Sequence, residues 1–323
     1  MGKETYLAHT ISQTEYEARY DKAAKKLLAN KLVLAHILKG CVTEYSGCDI
    51  LDIAGKYIEG EPEVSTVGVH IDDTGRELDT KVQGINSEDS SQYEGTAFYD
   101  VRFNAVAPQA DRTELIRLII NVEAQNEFTL KYPLIKRAIY YCGRMISAQY
   151  GTVFTKSDYQ KLRKVYSIWV CVNPTKNFRN TITRYSISPC TLEGNVIEDS
   201  KDYDMMSVVM VCLGSQKDGD SNDLIKFLGV LFHNELSAKE KKGILERDFN
   251  IPMTEKVESE VNEMCNLSQG VAQAAKERGE ASKLYELVNR CMKKNSCTVE
   301  EACDMMGVLP EEYRMAEELV REE

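Results

Sequence analysis

The stretch Leu118-Ile119-Ile120-Asn121-Val122-Glu123-Ala124-Gln125 decides the fold class. Nearly unbroken apolar and β-branched residues end on an acid, a small residue and an amide. Such a run reads as a central strand covered on both faces, here over residues 115–122. Upstream, residues 96–107 alternate. Ala97, Tyr99, Val101 and Phe103 fall on one side, and Phe98, Asp100, Arg102 and Asn104 on the other, which predicts a second strand. Asp100 then lies mid-strand, where charge is depleted and an unpaired buried carboxylate costs several kcal/mol. Glu123 ends the apolar strand, and Gln125, two residues on, shares its face. If the two strands are neighbours, Asp100 meets Glu123 across the ladder with Cβ atoms roughly 5 Å apart. Two carboxylates at that spacing repel one another, and a divalent cation resolves the repulsion. Mg²⁺ suits hard oxygen ligands and needs only one or two carboxylates beside its waters and a phosphate. It can activate a water and stabilise charge on phosphoryl oxygens.

The flanking sequence supports an α/β architecture. Residues 14–41 keep apolar side chains near helical spacing, and 49–58 read as a second helical or irregular stretch. Residues 65–71 are Val-rich and alternating, as in a strand, and 72–95 form a long polar segment with a connecting strand and a loop. Pro133 opens a helix reaching about residue 150, because proline is tolerated in a first turn. A short helix is expected at 156–164, a buried strand with Trp169 in its core at 165–172, and further strands at 181–187 and 207–213. Beyond about residue 235 the pattern is helical throughout: 237–251, 254–271, 276–295 and 298–306. The division expected is residues 1–235 for the α/β domain and 236–323 for a helical C-terminal region.

Composition excludes several classes. Of 323 residues, 43% are hydrophobic and 28% charged, an ordinary globular balance. No run of eighteen apolar residues is present, so no membrane span is expected. The first twenty-one residues are polar and lack an apolar signal core, which points to a cytoplasmic protein. The ten cysteines contain no C-x-x-C pair. They read as free thiols in a reducing compartment. Zinc at Cys291, Cys297 and Cys303 is set aside, because six-residue steps scatter thiolates around a helix. The four histidines show no metal spacing, no phosphate-cradle motif predicts a nucleotide cofactor, and no nucleophile elbow predicts a hydrolase triad.

Net charge is −11, yet residues 131–184 hold eleven Lys or Arg and a single acid, Asp158. That segment would attract a phosphate backbone. The region from Glu235 onward is acidic, 20 acids against 13 bases, and suits self-association better than DNA contact.

The order Thr96-Ala97-Phe98-Tyr99-Asp100, then Ile119 to Gln125, then Arg137-x-x-x-Tyr141 resembles the Rpn-type recombination-promoting nucleases. These are also called PD-(D/E)XK nuclease family transposases, within the restriction-endonuclease-like superfamily. The resemblance covers roughly residues 21–236, including Tyr57-Ile58-Glu59-Gly60 and Glu94-Gly95. It implies a restriction-endonuclease-like mixed sheet flanked by helices and a Mg²⁺-dependent DNA endonuclease of recombination or mobile elements, with Mn²⁺ able to substitute. Asp100 and Glu123 would be the metal ligands, with Gln125 in the place of the superfamily lysine. Gln125 can hydrogen-bond an attacking water but brings no charge to it. No proline precedes Asp100. Glu94 reads as a loop acid rather than a further ligand. Arg137 and Tyr141 share a helix face. With Lys136, Tyr140 and Arg144 nearby, Lys136, Arg137, Tyr141 and Arg144 are the expected DNA contacts. A homodimer through the C-terminal helices is the expected assembly. The competing expectation is an idle nuclease fold that binds DNA or protein, or oligomerises, without cutting.

Overall fold

The computed structural model describes residues 18–60, 62–64, 88–91, 95–108, 115–128, 130–214, 222–233 and 235–321. It is mixed α/β with a helical C-terminal region. The strand expected at 65–71 and the loop acid Glu94 lie outside the described residues.

Among the described residues, two compact units divide the chain, 21–264 and 18–20 with 265–321. The larger unit is built on a mixed sheet. Its strands are β1 Glu63–Val64, β4 Val101–Pro108, β5 Leu115–Glu127, β6 Lys164–Asn173, β7 Thr181–Ser186 and β8 Met206–Cys212. Their order is β1-β4-β5-β6-β8-β7. β4 runs antiparallel to β5, β5 and β6 run parallel, as do β6 and β8, and β7 closes one edge antiparallel to β8. A separate hairpin pairs β2 Glu88–Ser91 with β3 Gly95–Phe98.

Register places side chains in rows across this sheet. Asn121 stands beside Ser167, Glu123 beside Trp169 and Gln125 beside Cys171. This face is covered by α4, Leu134–Ser147, whose Leu134, Ala138, Tyr141, Cys142 and Met145 recur at helical spacing and join Trp169 and Met210 in one core. β6 is buried along nearly its whole length, which explains its unbroken apolar run.

The opposite face meets the N-terminal helices. The helix expected over residues 14–41 is two helices. α1 (residues 18–28) ends before Asn30, which accepts from the Leu32 amide and caps α2, Lys31–Cys41. After α2, the Tyr45 hydroxyl donates to the Val106 carbonyl at 2.8 Å, and Tyr166 donates to Glu44 at 2.7 Å. These bonds tie the segment to β4 and β6. Tyr45→Phe removes one buried hydrogen bond without changing shape. Urea titration should show a loss of about 1 kcal/mol with an unchanged m-value.

Residues 50–57 form a short helix, α3 Ile50–Asp52, and a π-helical turn. The helix expected at 156–164 is a single 3₁₀ turn, Tyr159–Lys161. Two further helices complete this part of the chain, α5 Ser200–Tyr203 and α6 Asp223–Phe232. α7, Ala238–Phe249, is capped by a reciprocal Ser237–Glu240 box.

The helices expected at 254–271 and 276–295 are one helix, α8 Glu255–Asn295. In the second unit its end packs with α9 Val299–Met306 and α10 Pro310–Arg321 around Val288, Ala302, Cys303 and Tyr313. Cys291 and Cys297 flank this core, and Cys303 is part of it. Among the described residues no helix is long and apolar enough to cross a membrane.

Candidate active site

Asp100 and Glu123 converge. The chain leaves β3 at Phe98 and enters β4 at Val101, so Asp100 sits at the break between strands and not mid-strand as expected. The cause lies in the two acids themselves. The Asp100 amide donates to Glu123 Oε1 at 3.1 Å, and the Ala124 amide donates to Asp100 Oδ2 at 3.0 Å. Each carboxylate satisfies backbone beside the other acid, and these side-chain bonds take the place of ladder bonds. Glu123 does not end its strand either. β5 continues to Glu127 because β6 pairs with it as far as Asn173. The sequence loses apolarity at Glu123 while the backbone pairing persists.

Both acids are 3% exposed. Burial raises the proton affinity of each, and at Glu123 the neighbouring Asp100 charge adds to the rise. Arg137 and a hydrogen bond from Asn121 act in the opposite direction on Glu123 without overcoming it.

A cation already stands against Asp100. Lys25, on α1, places Nζ 3.0 Å from Asp100 Oδ1 and 2.7 Å from Asp21 Oδ2, with its side chain 2% exposed. Burial disfavours the ammonium, but Asp100 and Asp21 outweigh it and hold the Lys25 pKa above the ordinary lysine value. Lys25 was not singled out from the sequence. The available signal was Asp21 one turn earlier, on a helix whose Ala23, Ala24, Leu27 and Leu28 put Lys25 on the buried side.

On the other flank stands Arg137, from the first turns of α4. Its Nη2 donates to Tyr141 Oη at 2.9 Å, and its guanidinium lies over the Tyr141 and Trp169 rings at 5.3 and 5.4 Å. Stacking fixes the guanidinium in the neighbourhood of Glu123, where their charges interact.

Gln125 is half-buried on the same face as Glu123. The other expected nucleic-acid contacts separate by exposure. Lys136 is exposed and Arg137 half-buried. Tyr141 and Arg144 are both buried. Tyr141 belongs to the core under α4, and Arg144 donates to the exposed Tyr140 hydroxyl at 3.3 Å.

The donor set fits a small hard cation. Besides the two carboxylates, Asn121 lies two residues before Glu123, fully buried, and its Oδ1 has no hydrogen-bond partner. An orphaned amide oxygen beside paired carboxylates is a hard ligand of the kind Mg²⁺ takes. Among the described residues no three or more His, Cys, Asp or Glu side chains form a metal-binding group. Among the described residues Asp100 and Glu123 are the carboxylates this site brings together.

Comparison with protein-family models, curated proteins and solved structures gave no match. The chemistry of the site thus rests on its own geometry: two interlocked acids, an internal ammonium on one side and a stacked guanidinium on the other.

Proposed function

We propose that this chain is a Mg²⁺-dependent DNA endonuclease with a restriction-endonuclease-like core, acting in recombination or in a mobile element. The observation that carries the reading is the mutual clamp of Asp100 and Glu123, in which each acid is oriented by the backbone beside the other. Preorganised, buried carboxylates cost stability, and strain of this kind concentrates at functional sites.

Asp100, Glu123 and Asn121 would hold the cation. Bound there, Mg²⁺ supplies charge neutralisation at a phosphoryl oxygen and a water of lowered pKa. Gln125, on the Glu123 face, orients the attacking water by hydrogen bonding. Arg137 meets the developing negative charge on the phosphate with a guanidinium already stacked and immobilised. Lys136, exposed on the same helix, contacts the flanking backbone.

Supercoiled plasmid tests the reading. Wild-type protein should nick in Mg²⁺ or Mn²⁺, stop in EDTA, and resume when metal is returned. Asp100→Asn should be inert while keeping its far-ultraviolet circular dichroism. Equal nicking by Asp100→Asn would remove the site.

One observation favours a second reading, an idle nuclease fold. Lys25 already neutralises Asp100. Calorimetric titration with Mn²⁺ separates the two: no heat beyond that of Glu123→Ala, with DNA present, selects the idle fold.

A further inference from the structure

β7 is an open edge. It pairs with β8 on one side and has no described neighbour on the other. Its residues Thr183 to Ser186 are exposed, and so is the chain that follows up to Asp202. An exposed edge strand is a template for pairing, and soluble proteins ordinarily blunt it with charge, proline or a covering element. Here the edge leads into the loop that joins β7 to β8, an arm anchored at both ends whose apolar side chains stand in solvent. Leu192 is 95% exposed and Ile197 97%, with Val196 and Ile187 also exposed. Isolated exposed apolar residues are ordinary, but four on one loop beside that edge are not.

A receptor for such an arm exists on the same chain. Along β7 lies an apolar groove of 530 Å³, walled by the β7 side chains Thr181, Thr183 and Tyr185 and by Phe128, Leu130 and Phe178. The groove runs along β7, with Phe178 just before the strand's first residue, and the arm leaves from the strand's last.

We infer that the chain forms a two-fold dimer in which β7 pairs antiparallel with β7 of a second copy, and each arm lies in the groove of the other. The register follows from symmetry. Pairing about the middle of a six-residue strand sets Ser186 of one copy opposite Thr181 of the other. The residues after Ser186 must then run past Thr181 toward Phe178, at one end of the groove. The contact is isologous and closes on itself, so it yields dimers and not filaments. The area is sufficient. Leu192 and Ile197, almost fully exposed, at about 150 Å² each, with the partly exposed Ile187, Val196, Phe178 and Tyr185 at about 90 Å² each, cover about 660 Å² per protomer. Stable interfaces of ordinary size bury about 800 Å² per partner, and the backbone pairing adds to the side-chain area. This interface differs from association through the C-terminal helices, and it does not depend on the nuclease reading.

Sedimentation equilibrium of the full chain tests it. Wild type should sediment as a dimer. Leu192→Asp with Ile197→Asp should weaken dimerisation by about a hundredfold or more, because each dimer loses four buried anchors. Both positions are solvent-exposed within the protomer, so the variant's circular dichroism and thermal midpoint at high dilution should match wild type. A second variant, Phe178→Asp, attacks the groove from the other side and should give the same loss. A wild-type monomer, or a dimer that survives both variants, overturns the inference. In the latter case the interface lies elsewhere on the chain.

Discussion

Lys25→Met should lower stability by about 3–5 kcal/mol at neutral pH, read as a shift of the urea midpoint. Removing one member of a buried pair leaves the other charge uncompensated, and that penalty exceeds the net worth of the pair. Lys25 contacts Asp100 Oδ1 at 3.0 Å, with both side chains almost wholly buried. Methionine keeps most of the stem volume, so the effect reads the charge and not a cavity. The loss should shrink on acidification. Without Lys25, the folded-state pKa of Asp100 rises further above its ordinary 3.8. A raised carboxyl contributes stability that is present below its unfolded pKa and disappears as pH climbs through the folded one. Adding Asp100→Asn to Lys25→Met should recover most of the stability at pH 7, because the carboxamide still accepts from the Ala124 amide and carries no charge. A strongly non-additive double-mutant cycle is the expected signature, and additivity would remove the ion pair as a determinant of stability.

The sheet was legible because its central strands are covered on both faces. Burial leaves residues 165–172 and 207–213 almost without polar interruption, and both strands lie within a residue or so of the expected bounds. Legibility failed where side chains replace ladder bonds or where pairing outlasts apolarity. Asp100 alternates like a strand residue, but its carboxylate binds the Ala124 amide and interrupts the strand. β5 runs beyond Glu123 because β6 supplies backbone partners, which no hydropathy pattern reports. α6, Asp223–Phe232, is apolar on nearly every side, so it lacks the amphipathic period that marks a surface helix.

The two acids could be paired from their spacing and shared face. Lys25 could not be found that way, because a contact from α1 to Asp100 spans some 75 residues of chain and has no local period. The same limit applies to Tyr141 and Arg144. Their side-chain chemistry suits DNA, yet α4 turns Tyr141 into the core beside Trp169, and Arg144 is buried with it. Residue type alone does not distinguish a phosphate contact from a stacked, buried neighbour.

Glu123→Gln should separate stability from activity in opposite directions. Glutamine keeps an oxygen for the Asp100 amide and removes the charge that burial and Asp100 disfavour. Without metal, the variant should therefore gain about 0.5–2 kcal/mol at neutral pH, as substitutions that relax a functional site commonly do. Its Mg²⁺-dependent nicking should fall at least about 100-fold, since even the supporting partners of metal ligands are worth 10- to 100-fold. The pH dependence identifies the cause. Glu123 titrates above its ordinary 4.5 in the folded state. The folded protein then binds more protons than the unfolded chain in that window, so wild-type stability must fall as pH rises from about 4.5 through the raised value. Glu123→Gln removes this group's share of the slope. Mg²⁺ should restore wild-type stability on the high-pH side, where the carboxylates are free of protons and can bind it, and should leave Glu123→Gln nearly unchanged. Thermal midpoints measured from pH 5 to 8, with and without Mg²⁺, give all four curves. If metal stabilises both proteins equally, Glu123 is not a ligand, and its raised proton affinity reflects burial alone.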